Sequence, residues 1–286
     1  MPAIPTWGIL LLVMGVYVRS ILTWGWMILL SVLWIPMTLL FSLTIPFDRR
    51  RRLLLWESHL WCRTVARTYP TWRIKLTGLE QIEPGRHYVV MSNHASLSDI
   101  LLLSRLPLYF RWVSKREIFL VPIFGWQMWV FGHLSVKRGN RKSVARFLRA
   151  TRRTLESGLS VLIFPEGTRS RTGELGSFRP GGFQLASDTG TPILPVVVGG
   201  SAAALPKNSW VMRDLTCPRV HVLPPIPVER GEDPAALARR VRDTMLGPHA
   251  QVQRESAELL AGWLAELGLT PQASRPAERS APPAAP

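Results

Sequence analysis

The feature that most constrains this chain is a run from Trp7 to Phe47 whose only charged residue is Arg19. The part from Ser20 to Phe47 is by itself long enough to cross, as a helix, a hydrocarbon core roughly 30 Å thick. Trp7, Trp24, Trp26, Trp34, Trp56 and Trp61 lie in or just after the run and make up half of the 12 tryptophans. An amphipathic indole ring is at ease at the bilayer–water boundary. No basic region precedes the run and no convincing small-residue cleavage site comes after it, so it reads as an anchor and not as a signal peptide. Trp7 to Val18 is too short to span alone and Pro36 interrupts the remainder, so one bent span and a re-entrant two-helix hairpin both fit. Arg49, Arg50, Arg51 and Arg52 come immediately afterwards. A basic cluster of this kind stays on the cytoplasmic side, which places the rest of the chain on the cytoplasmic face of an inner membrane. Residues 1–52 are therefore expected to form the membrane anchor.

Lys and Arg number 35 against 19 Asp and Glu, a formal charge of +16. The expected partners are polyanions: phospholipid headgroups, an acidic acyl carrier protein, or nucleic acid. The basic stretches lack interleaved aromatics and any nucleic-acid motif, so no nucleic-acid partner is expected. Cys62 and Cys217 are far apart in sequence and have no metal-site spacing, so neither a disulfide framework nor a zinc centre is implied. No metal is expected in the chemistry.

Beyond the anchor, short β-branched or aromatic runs at Trp72–Leu76, Tyr88–Met91, Tyr109–Val113, Leu134–Val136, Val161–Phe164, Ile193–Val198 and Val220–Leu223 read as strands. Helical patterns at Leu97–Arg105, Ile123–Phe131, Lys142–Glu156 and Gly182–Ser187 lie between several of them. The alternation predicts an α/β fold, a mixed or parallel sheet flanked by helices, preceded by the membrane helix or hairpin. Leu53–Thr68 suits a helix lying in the interface or an amphipathic helix packed on the core. Two C-terminal helices, Pro234–Leu246 and Pro248–Leu267, are expected to part at Gly247-Pro248. Residues 53–269 then form one domain, and 270–286, rich in Pro, Ala and Ser, form a disordered tail.

Tyr88–Met91 leads into Ser92-Asn93-His94, and Ser96 can cap the next helix, which puts His94 at a strand-to-helix turn and Asp99 in the first helical turn. A carboxylate there can hold one imidazole nitrogen, fix the tautomer and raise the basicity of the other, as a general base requires. The same Ser96-Leu97-Ser98-Asp99 also has the form of a capping box, in which Asp99 only closes the helix start. The segment by itself does not decide between the two.

Asn93 to Asp99 resembles the N-H-x-x-x-x-D hallmark of the glycerolipid acyltransferases of the lysophosphatidic acid acyltransferase type. Three further blocks resemble that family in order. They are Lys115-Arg116-Glu117-Ile118-Phe119 with Pro122–Trp126, Gly132 and Val136-Lys137-Arg138; Phe164-Pro165-Glu166-Gly167-Thr168-Arg169-Ser170; and Ile193–Val197. The resemblance implies His94 and Asp99 as the catalytic pair, and Lys115, Arg169 and Arg138 as ligands of the acceptor's phosphate. Glu166, Gly167 and Thr168 belong to the same acceptor loop, with Glu166 orienting Arg169 or an acceptor hydroxyl. The Arg169 fork suits phosphate oxygens, although the loop also reads as a solvated basic turn.

Pro122 to Phe131 reads mainly as core, with an acyl-chain groove as the alternative. The basic residues from Arg138 to Arg153 read as a solvated or membrane-facing helix face, or as a landing site for an acyl carrier protein. The expected reaction is acyl transfer from a CoA or carrier-protein thioester, with no cofactor, to the hydroxyl of lysophosphatidic acid. Other acceptors are a lyso-ornithine lipid, lysophosphatidylglycerol or glycerol 3-phosphate. A non-catalytic adaptor that binds anionic lipid is the reading from another class.

Overall fold

The computed structural model describes residues 6–269 except Pro70, Arg138, Arg171 and Asp214. The tail at 270–286, expected to be disordered, and Arg138, expected at the phosphate, lie outside the described residues. Seven strands form one sheet: β1 (Lys75–Thr77), β2 (Val89–Ser92), β3 (Phe110–Lys115), β4 (Leu134–Val136), β5 (Ser160–Ile163), β6 (Ile193–Gly199) and β7 (Arg219–Val222). Their order is β1-β7-β6-β2-β5-β3-β4. From β6 to β4 all neighbours pair in parallel, while β6 and β7 pair antiparallel, so the sheet is mixed.

Every residue of β2, β5 and β6 is buried. These strands are covered on both faces, which is why they read in sequence as unbroken apolar runs and not as alternations. Val89, Met91, Val161 and Ile163 face α5 (Arg141–Glu156), α6 (Gly181–Thr189) and α8 (Pro234–Glu266). Tyr88, Val90 and Leu162 face the other way, against Leu102 and Leu103 of α3 (Ser98–Leu103). Each such buried Leu or Val contributes about 1.5–3 kcal/mol relative to exposure.

The N-terminal run forms a single helix, α1 (Thr6–Ser42), which passes through Pro36. Of the two arrangements left open, the single helix is observed and the hairpin is not. Proline removes only the one N–H that would bond the fourth residue back, and the hydroxyls of Ser31 and Thr38 donate back to the carbonyls of Met27 and Trp34 nearby. In apolar surroundings, keeping every other backbone pair satisfied outweighs that loss. Gly15–Ser42 is long and apolar enough to cross a membrane.

Yet α1 touches the domain from Tyr17 onward. The Tyr17 ring lies 5.7 Å from that of Trp210, and Trp24 Nε1 donates to Trp210 O at 2.7 Å. Gln127 of α4 (Phe124–Val130) donates to Ser31 O, and Thr38 bonds Glu57 of α2 (Arg52–Arg67). Phe41 and Ile45 pack on Leu54, Val130 and Phe131. From Tyr17 to Phe41 the contacts cover about 36 Å of helix.

The α2 helix buries Leu54, Leu55, Trp61, Val65 and Ala66, so it is packed on the domain, with Leu53 and Trp56 left exposed. Two histidines are sealed in beneath it. His59 lies 4.8 Å from the Phe110 ring, and His133 Nδ1 accepts the Trp112 N–H at 3.2 Å. Burial drives His59 down to about 4 and His133 to about 3, so both are neutral core groups and neither competes as a base. Arg51, read as part of the basic flank, turns inward and donates to the carbonyls of Trp129 and Val130 at the end of α4, where a cation complements the helix dipole.

The C-terminal region is one helix, α8, which holds Pro248 inside it, so the expected division at Gly247-Pro248 does not occur. The buried stripe Leu237, Val241, Met245, His249, Val252 and Ser256 continues at helical spacing across the proline. That packing outweighs one missing hydrogen bond.

Candidate active site

Because β2, β3, β5 and β6 are parallel, the loops after them open on one edge of the sheet, the edge where open α/β sheets bind ligands. Asn93 fastens the first of these loops. Its Nδ2 donates to Val198 O at 2.9 Å and its Oδ1 accepts from Val198 N at 2.8 Å, which ties the end of β2 to β6. The next residue, His94, stacks on Phe164 with ring centroids 3.9 Å apart and 11° between the planes. Its Nδ1 lies 2.7 Å from Asp99 Oδ2. With the ring proton placed on Nδ1, facing the carboxylate, Nε2 carries a lone pair and has no hydrogen-bond partner among the described residues.

Asp99 is fully buried, and the same oxygen accepts the N–H groups of Ala95 and Ser96, each at 2.9 Å. The capping contact and the histidine contact thus coexist on one atom. The two roles open to Asp99 are not exclusive: the carboxylate closes the start of α3 and by doing so is held rigidly against the ring. Ser96 Oγ donates to Leu205 O at 2.7 Å, which anchors the turn to the segment after α7 (Ser201–Ala204).

β5 runs out into Phe164-Pro165-Glu166-Gly167, a turn closed by Gly167 N donating to Phe164 O at 3.0 Å. Gly167 has φ of 72°, a left-handed conformation that calls for glycine. Glu166 was expected to orient Arg169 or an acceptor hydroxyl. In the structure its Oε1 accepts the backbone N–H of His94 at 3.1 Å and its Oε2 accepts that of Gly176 at 3.4 Å. Burial raises its carboxyl above the ordinary range, against the opposing pull of those two N–H donors. Ser170 N donates to His94 O at 2.7 Å, so the loop after β5 grips the histidine's backbone from both sides.

Thr168 and Arg169 line a cavity of about 480 Å³ together with Glu166, Ser170, Ser177 and Lys207. The Arg169 guanidinium has no hydrogen bond or ion pair among the described residues. Lys207, on the segment after α7, donates to Arg169 O and reaches Thr168 Oγ1 at 3.4 Å. Lys115 sits exposed at the end of β3 and is absent from this lining. The structure therefore brings together His94, Asp99, Glu166, Gly167, Thr168 and Arg169, and places Lys115 on the same sheet edge, at the end of the strand next to β5. Sequence reasoning gave no part to the Phe164 ring that supports His94, or to Lys207. Phe164 opens one of the family-like blocks; Lys207 has no local signal at all.

In the segment from Pro122 to Phe131, Gly125, Gln127, Met128 and Val130 are buried as core while Trp126 and Trp129 are exposed. Gly125 sits where a Cβ would meet Phe119 O at 2.4 Å, so its bareness serves backbone packing.

This is an α/β sheet laid against a long apolar helix, with a carboxylate-held histidine on its carboxyl edge beside a cavity lined by Arg169, Lys207, Glu166 and Glu174. Residues 73–199 match a family model described as Acyltransferase. A Pseudomonas aeruginosa protein named 1-acyl-sn-glycerol-3-phosphate acyltransferase is 30% identical over 225 residues, covering 77% of this chain and 85% of that protein. An algal protein of the same name, from Chlamydomonas reinhardtii, is 34% identical over 194 residues, which is 67% of this chain and 58% of that protein. In fold the chain is similar to the crystal structure of the 1-acyl-sn-glycerophosphate acyltransferase PlsC from Thermotoga maritima. The TM-score is 0.67 at 24% identity, over 86% of this chain and 98% of that one. The chain belongs to the 1-acyl-sn-glycerol-3-phosphate acyltransferase family. It spans about half the length of the algal and chloroplast relatives it matches.

Proposed function

We propose that this chain transfers an acyl group from a thioester to the free hydroxyl of lysophosphatidic acid, making phosphatidic acid in phospholipid synthesis. The observation that carries the reading is the His94 ring, fixed through Nδ1 at 2.7 Å from Asp99 with Nε2 unpartnered, beside the cavity that Arg169 lines. His94 Nε2 takes the proton from the acceptor hydroxyl as its oxygen attacks the thioester carbonyl. Asp99 stabilises the imidazolium that forms, and collapse of the tetrahedral adduct expels the thiolate. The donor is an acyl-CoA or an acyl carrier protein, and no cofactor or metal takes part. The basic face of α5 (Lys142, Arg146, Arg149, Arg153) is the landing surface for an acidic carrier.

The acceptor is tested by assaying purified protein with lysophosphatidic acid, lysophosphatidylglycerol, lyso-ornithine lipid and glycerol 3-phosphate against both donors. Arg169→Ala is expected to raise the KM for lysophosphatidic acid about tenfold or more, since a charge-assisted bond to phosphate contributes about 1.5–3 kcal/mol. An unchanged KM and kcat would remove Arg169 from the acceptor site.

The chain binds a cytoplasmic membrane face with α1 lying in the bilayer plane. A helix in contact with the domain over about 36 Å cannot also cross a hydrocarbon core of about 30 Å without drawing the domain's charges into it. The outward residues of α1, among them Leu22, Leu33 and Leu40, join exposed Phe47, Leu120 and Trp129 in an apolar surface. Fluorophores attached at single cysteines replacing Leu22, Leu33 and Leu40 should all report one depth, about 5–10 Å below the headgroups, in lipid-quencher titrations. A crossing helix would place Leu33 deepest and the other two in opposite leaflets, and that pattern would end the in-plane reading.

A further inference from the structure

Lys207 lies outside all four blocks that resemble the family, yet it borders the cavity beside the histidine. We propose that Lys207 is the second cation of the acceptor's phosphate subsite, and that with Arg169 it makes the site select a terminal phosphate monoester over a diester headgroup. The proposal rests on lysophosphatidic acid being the acceptor and names the chemistry by which that acceptor is distinguished.

The segment that carries Lys207 is held close to the site by bonds from the histidine turn: Ser96 Oγ to Leu205 O at 2.7 Å and Ser98 Oγ to Ser201 O at 3.2 Å. From there Lys207 Nζ bonds the backbone carbonyl of Arg169 and reaches Thr168 Oγ1 at 3.4 Å. Lys207 and Arg169 thus line one cavity, and the Arg169 guanidinium makes no hydrogen bond or ion pair among the described residues. Thr168 and Ser177 add hydroxyls to the same lining, while the Ser170 hydroxyl is committed to the Glu174 carbonyl. Of the two carboxylates there, Glu166 is occupied by the backbone N–H groups of His94 and Gly176, and Glu174 is exposed. Two cations of different geometry, a planar fork and a point charge, suit a phosphate monoester. Such a group carries a charge of about −1.5 to −2 at pH 7. A phosphodiester carries one negative charge and a bulky second substituent, so it gains less from the second cation.

The competing role for Lys207 is purely structural, a clamp on the Arg169 carbonyl that any acceptor would need equally. Steady-state kinetics on the full chain separate the two. Wild type, Lys207→Gln and Lys207→Arg are compared with lysophosphatidic acid and with lysophosphatidylglycerol at a fixed saturating donor. Lys207→Gln should raise the KM for lysophosphatidic acid about tenfold while leaving kcat within about twofold and the lysophosphatidylglycerol KM within about threefold. Lys207→Arg should recover most of the loss. Equal KM changes for both acceptors, a fall in kcat alone, or no change would each overturn the proposal.

Should Lys207→Gln not fold, the wild-type protein decides. Glycerol 3-phosphate, and not glycerol, should protect Lys207 from acetylation by an amine-reactive ester, read by peptide mass spectrometry; equal labelling with both overturns the proposal. If wild type turns over no lysophosphatidic acid, the acceptor reading itself has failed. If wild type turns it over and Lys207→Gln matches it, only the role of Lys207 has.

Discussion

A His94→Ala variant is expected to fold and to lose acyl transfer, with kcat reduced about 10²–10⁴-fold or more, the range supplied by a positioned general base. Folding should survive because the bonds that shape this turn come from the backbone. His94 N donates to Glu166, His94 O accepts from Ser170, and Asp99 keeps the N–H groups of Ala95 and Ser96. What alanine removes is the ring, its stack on Phe164 and its bond to Asp99, a stability loss on the order of 1 kcal/mol. Turnover with lysophosphatidic acid and thermal unfolding, measured on the same preparation, check both halves. The same variant separates an enzyme from a lipid-binding adaptor: an adaptor would keep its membrane binding and its role, and an alanine variant with wild-type kcat would exclude His94 as the base.

The second large effect concerns Asp99, where asparagine and alanine should give different answers. In many histidine–aspartate pairs the amide inverts the hydrogen bond and forces the wrong tautomer. Here all three bonds converge on Oδ2, while Oδ1 is buried without a partner. An asparagine can place its oxygen at the Oδ2 position, accept the same three donors, and lodge its NH₂ where Oδ1 had no partner. Geometry and tautomer persist; only the charge that stabilises the imidazolium is lost. Asp99→Asn should therefore lower kcat about 10²-fold, at the mild end of the range for acid–base catalysis.

Asp99→Ala should fall further and also destabilise the fold. It frees the ring and orphans two backbone N–H groups, at about 1–3 kcal/mol for each that stays buried. The expected ranking of kcat is Asp above Asn above Ala, with thermal unfolding distinguishing only the last. Wild-type turnover in Asp99→Asn would reduce the carboxylate to a helix cap.

Several distinctions lay within reach of a few residues. Strand positions came from short β-branched runs, because burial on both faces of a sheet demands apolar side chains at consecutive positions. Gly167 was named as part of the acceptor loop, but its need for a left-handed turn is a property of the fold. Conversely, Pro248 predicted a break that did not occur, and Pro36 left open a hairpin that did not form. A proline's local penalty is read easily from sequence, whereas the packing that overrides it comes from distant partners: the domain surface under α1, and β6, β7 and α6 under α8.

By itself the sequence determined that this chain carries a long apolar helix, an α/β sheet, and a histidine and an aspartate spaced to meet across one turn. Those features depend on local periodicity and on spacings of a few residues, where covalent geometry limits the outcomes. The tertiary structure alone decided that α1 lies along the domain, that Glu166 braces the histidine's backbone, and that Lys207 joins Arg169 at the cavity. Each of those contacts links residues far apart in the chain. The sheet order, with β2 between β5 and β6, brings their loops onto one edge, and no local pattern records that neighbourhood.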